Sequence, residues 1–172
     1  QSSGVVHADG AVTLNPKIVG NYSITKTGSG TLTLGRGGLE STFSGGFILD
    51  GGVVNTYGSS SSTTGAGPFG TGTLTLRSGQ IRTQGANGRT YTNAVALDGS
   101  IILGHEDYMG DIYFSAGNMG NATTLLRDSE ISTINYSTWN QKISGDYSLT
   151  KSGTGALALT NGANDYSGKT VV

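Results

Sequence analysis

Residues Gly20–Leu34 read GNYSITKTGSGTLTL, and residues Gly145–Leu159 read GDYSLTKSGTGALAL; laid on each other without a gap, nine of the fifteen positions are identical. A third copy of the second half, GTGTLTL, stands at Gly70–Leu76. In Thr31-Leu32-Thr33-Leu34 the alternation throws both leucines to one face and both threonines to the other, as in a strand with one face in a core and a hydroxyl row outside. The repeated unit is therefore strand, glycine corner, strand. Short one-face-apolar strands that recur without helices between them predict a solenoid, in which each strand lies on its counterpart one turn earlier. The expected architecture is all-β: a right-handed parallel β-helix (β-solenoid) of about seven or eight coils, with no caps.

Composition agrees with that reading and removes others. The 172 residues include 30 Gly, 2 Pro and no Cys, with a formal net charge of -1. So many turn formers and so little net charge argue against both a helical protein and a disordered one. The absence of Cys removes disulfides, thiolate metal sites and thiol chemistry. Lysines and arginines are scattered singly, giving no basic face for nucleic acid, and no apolar run is long enough to embed the chain in a membrane. Strand signals fall at Ala11–Leu14, Tyr22–Lys26, Thr31–Leu34, Phe47–Asp50, Thr73–Leu76, Ala94–Leu97, Ser100–Leu103, Asp111–Phe114, Thr123–Arg127, Glu130–Ile134, Tyr147–Lys151 and Ala156–Leu159. They recur along the chain, and residues 1–172 read as a single domain.

Leu149-Thr150-Lys151-Ser152-Gly153-Thr154-Gly155-Ala156-Leu157-Ala158-Leu159, followed by Gly162-Ala163-Asn164-Asp165-Tyr166-Ser167-Gly168, resembles the autotransporter-associated β-strand repeat, also called the passenger-associated transport repeat. Phe69–Leu76 resembles the companion strand of that repeat. The resemblance implies a bacterial protein, extracellular or on the outer cell surface, built as a β-helical stalk with no catalytic residue and no cofactor. The Ser59–Thr64 loop and the Asp98–Phe114 stretch depart from the pattern.

The last residues, Tyr166-Ser167-Gly168-Lys169-Thr170-Val171-Val172, break off inside an element whose longer form is Phe43–Val54. Reading from Val171 and Val172 on to Gln1, Gly4, Val5 and Val6 completes it. The expectation is one period of a longer solenoid, whose partners are copies of itself joined head to tail, covalently or by stacking into a filament.

Few side chains offer chemistry. His105, Glu106, Asp107 and Asp111 are the one cluster of metal-capable groups, but adjacent residues on an extended chain point apart, so a solvated corner is the expected arrangement and no metal site is assigned. Asp128 and Glu130 share a strand face near Arg127, where an ion pair suits them as well as an acid–base pair; His7 stands near Asp9 without a nucleophile. No catalytic residue is assigned, and the chain reads as no enzyme, a carbohydrate-cleaving β-helix being the weakest alternative. The stronger one is a glycan-binding adhesin using Tyr108, Tyr113, Tyr136 and Trp139, with surface glycans as partners. Lys26 and Lys151, like Tyr22 and Tyr147, hold equivalent repeat positions, which suits a structural ladder or a corner role better than a site. Asn121-Ala122-Thr123 and Asn135-Tyr136-Ser137 fit the N-glycan acceptor pattern only formally.

Overall fold

A computed structural model describes residues 3–172 except 37, 39 and 108. The chain winds as a three-sided β-solenoid. The first coil holds β1 (Gly4–His7) and β2 (Val12–Leu14), and the second β3 (Ile24–Thr27) and β4 (Thr31–Leu34). β5 (Phe47–Thr56) makes the third; β6 (Leu74–Thr83) and β7 (Arg89–Tyr91) make the fourth; β8 (Val95–Leu103) and β9 (Ile112–Phe114) make the fifth. The sixth carries β10 (Thr123–Leu125), β11 (Ser129–Thr133) and β12 (Ser137–Trp139), and the seventh β13 (Ile143–Ser144), β14 (Leu149–Ser152) and β15 (Leu157–Leu159). β16 (Thr170–Val171) belongs to an eighth. Every strand pair is parallel; one isolated antiparallel bridge joins Ser41 to Gly67.

Side one stacks Gly4, Ile24, Phe47, Leu74, Val95, Thr123 and Ile143 in register. Side two stacks Val12, Leu32, Val54, Ile81, Leu103 and Thr133. Both sides belong to one sheet folded at a glycine corner, so Ala94–Leu97 and Ser100–Leu103, expected as two strands, lie on the single strand β8 bent at Gly99. Side three is the separate sheet of β7, β9, β12 and β15, with Tyr91, Phe114, Trp139 and Leu159 in register. Phe69 packs on Tyr91 at 5.0 Å between ring centroids, Tyr91 on Phe114 at 5.7 Å, and Phe114 on Trp139 at 3.9 Å, giving an aromatic column inside this side.

The Gly-x-Gly-x-Leu-x-Leu unit turns the chain at all three corners. Gly28 and Gly30 lead from side one to Leu32 and Leu34 on side two; Gly153 and Gly155 lead from side two to Leu157 and Leu159 on side three; Gly70 and Gly72 lead into Leu74 and Leu76 on side one. A Cβ on Gly30, Gly72 or Gly155 would stand 2.1, 2.4 or 2.2 Å from a carbonyl oxygen of the coil beneath, closer than any carbon can approach. Similar sequence copies thus lie on different sides. β3 and β4 occupy sides one and two, whereas their counterparts β14 and β15 occupy sides two and three.

Candidate functional site

The repeat's lysine serves the corner that its sequence position suggests. Lys26 is fully buried, and its Nζ donates to the carbonyls of Thr27 (2.7 Å), Gly28 (2.9 Å) and, in the coil above, Gly51 (3.2 Å). Burial pushes this ammonium below the ordinary lysine range, with Asp9 opposing. Lys151 makes the same local contacts, to Ser152 (2.5 Å) and Gly153 (3.1 Å), at the next corner around the coil. In both corners the lysine gathers successive carbonyls at the glycine turn, one of which, that of Thr27, also accepts the Ala8 amide of the coil beneath (3.0 Å).

The aromatic set expected to face glycans separates. Trp139 is completely buried; it stacks on Phe114 and its Nε1 donates to Thr123 Oγ1 at 2.8 Å, so it has no face for a sugar. The physical reason is register: Trp139 lies over Phe114 and Tyr91 on the inward face of β12. Tyr113 and Tyr136 stay on the outside of side three. The Tyr113 hydroxyl donates to Asp111 at 2.9 Å, which raises its pKa, while Tyr136 is 45% exposed. Tyr108 lies outside the described residues.

The acidic cluster is likewise divided. His105, Glu106 and Asp107 sit in the loop between β8 and β9, where the His105 amide donates to Asn135 Oδ1 (2.7 Å) and the Asp107 amide to His105 Nδ1 (3.0 Å). Asp111 instead holds Tyr113. Among the described residues no three His, Asp or Glu come together as a metal site. Asp128 accepts the Ser148 amide (2.7 Å) and Glu130 accepts the Ser152 hydroxyl, so both tie neighbouring coils. Arg127 turns away from them to Asp98 (2.7 Å), which also takes Arg77 (3.1 Å); Arg77 in turn stands 3.7 Å from Asp50. The result is an alternating row of Asp50, Arg77, Asp98 and Arg127 up the outside of one corner. Burial opposes ionisation of Asp98, but the two guanidiniums outweigh it and hold the carboxyl below its usual range. Nothing in the sequence pattern singles out this row, because its members are 21 to 29 residues apart.

At the two extreme coils valines reach the surface among polar residues. Val5 and Val172 are 67% and 98% exposed, Val171 is exposed, and Val6 is half-buried; Gly4 is exposed and Gln1 lies outside the described residues. Above β15 lies a hollow of about 360 Å³, lined by Leu149, Lys151, Leu157, Leu159, Thr170 and Val172 among others.

Residues 24–56 and 149–172 match the family model of the passenger-associated-transport-repeat. No curated protein and no solved structure gives a match.

Proposed function

We propose that this chain, which carries passenger-associated-transport repeats on a β-solenoid, is a mechanical spacer in the exported passenger region of a bacterial surface protein. The observation that supports this reading is the continuous parallel stacking of the three sides, filled by apolar and aromatic columns, while Asp128 and Glu130 outside bind the neighbouring coil and Asp98 binds arginines. Such a rod resists bending and proteolysis because each coil is held by backbone bonds to its neighbours. Its extreme coils take further coils of like sequence, head to tail, through the edges of β1 and β16.

Antibody to the chain should label intact source cells, and protease added outside should remove the label; labelling only after lysis would overturn the surface reading. Sedimentation of the purified chain should show association that grows with concentration, and a monomer at every concentration would sink the stacking. The competing reading, a glycan-binding surface, rests on Tyr113 and Tyr136, which lie next to each other outside side three. It requires glycan binding that Tyr136→Ala abolishes; the spacer reading expects a blank array.

A further inference from the structure

We infer that Asn87 is a site of spontaneous modification: its side chain closes on the Gly88 amide, loses ammonia and leaves aspartate or isoaspartate at the entry to side three, while the fold holds Asn161 unreacted. These are the two asparagines of the chain that precede a glycine. A glycine there has no Cβ to hinder attack of its amide nitrogen on the carboxamide before it. By sequence the two sites are alike; the fold separates them.

Asn161 is already engaged. Its Oδ1 accepts the Ala163 amide (2.9 Å), and its Nδ2 donates to the Asn140 carbonyl of the coil beneath (2.9 Å). Ring closure turns the carboxamide onto the Gly162 nitrogen and must first break both bonds. Asn87 is exposed in the loop between β6 and β7, and among the described residues neither its side chain nor the Gly88 amide has a hydrogen-bond partner. Arg89 adds a second difference. Its Nη1 donates to the Asn87 carbonyl at 3.2 Å and to the Gly88 carbonyl at 3.0 Å. When base removes the Gly88 amide proton, the negative charge spreads onto the Asn87 carbonyl oxygen, where the guanidinium already stands.

The Gly88 nitrogen then bonds to Cγ of Asn87 and the Cγ–Nδ2 bond breaks, Nδ2 taking a proton from solvent and leaving as ammonia. Water opens the resulting cyclic imide. Cleavage between the Gly88 nitrogen and Cγ gives aspartate; cleavage between that nitrogen and the main-chain carbonyl carbon gives isoaspartate, whose main chain is longer by a carbon. Arg89 is the first residue of β7, and its amide donates to the Asp111 carbonyl at 2.9 Å, so the added carbon falls where side three begins.

The whole chain is incubated in neutral buffer, folded and in urea, in water enriched in heavy oxygen, and both asparagine–glycine pairs are followed by peptide mass spectrometry. In urea the two should convert at comparable rates. Folding should slow Asn161 by about tenfold or more and leave Asn87 unslowed. Arg89→Met should slow Asn87 about tenfold in the folded chain and not in urea. Equal rates at the two sites in the folded chain, or a folded Asn87 rate that Arg89→Met leaves unchanged, would overturn the proposal. Should the variant fail to fold, the unaltered chain decides alone, and a folded-to-urea ratio as low at Asn87 as at Asn161 overturns it.

Discussion

Gly30 has no room for a methyl group: a Cβ would stand 2.1 Å from the Gly10 carbonyl oxygen, and both partners are backbone that the sheet holds in place. Gly30→Ala should destabilise the chain by roughly 3 kcal/mol, the upper end for overpacking, in urea denaturation. Gly162→Ala, where nothing lies within 4 Å, should stay within about 0.5 kcal/mol. The lysines divide in the same way. Lys26→Met takes the ammonium from the carbonyls of Gly28 and Gly51 in a closed corner, while the Thr27 carbonyl keeps the Ala8 amide, and should cost about 2–3 kcal/mol. Lys151→Met should cost less than half of that, because its corner is half-open and water can replace the ammonium. Equal losses for the two lysines would show that coil coverage does not set the value of this contact.

Among elements, the aromatic column and the charge row hold neighbouring coils together in different ways. Trp139 fills the inside of side three, and its indole N–H finds Thr123 Oγ1, which itself donates to Gln141 Oε1 at 2.7 Å. Gln141 Nε2 goes on to the carbonyls of Asn93 (2.7 Å) and Ser115 (3.0 Å), so the indole and the following corner form one connected polar chain inside the coil, while the buried Ser137 hydroxyl of β12 stays outside it. Trp139→Ala empties the largest side chain of the core and should cost about 3–5 kcal/mol by chemical denaturation. In the unaltered chain the fluorescence of this single tryptophan should move to the red on unfolding.

The corner row behaves oppositely, since it runs along the outside of the coil and depends on charge. Asp98 has a depressed pKa when folded, so the unfolded chain binds more protons below about pH 4. The stabilisation it gives is complete above the unfolded carboxylate value and is lost as pH falls through the folded one. Acid titration of stability should therefore be shallower in Asp98→Asn, and the difference should shrink in high salt. An unchanged acid limb would mean that Arg77 and Arg127 do not hold this carboxylate in solution.

For the whole molecule, a rod in which each coil touches only its neighbours should open from its ends. Amide exchange should be slowest in β5, β6, β8 and β11, and fastest in β1, β2 and β16; uniform protection would mean that the coils unfold as one cooperative unit. The repeat of Gly20–Leu34 in Gly145–Leu159 was enough to determine strands, glycine corners and a parallel coil, because period-two alternation and the demand for residues without a Cβ are local properties. The equivalence of Lys26 and Lys151 was legible for the same reason, but that both serve corners and form no ladder was decided by the sides they occupy. Only the tertiary structure decided which side of the coil each copy occupies, since that depends on the lengths of all the loops between copies, from Gly35 to Ser144. Loop length also set the facing of Trp139, whose surroundings do not reveal whether β12 points it inward or outward. The pairing of Asp98 with Arg77 and Arg127 was hidden likewise: residues more than twenty positions apart become neighbours only when whole coils close beneath them.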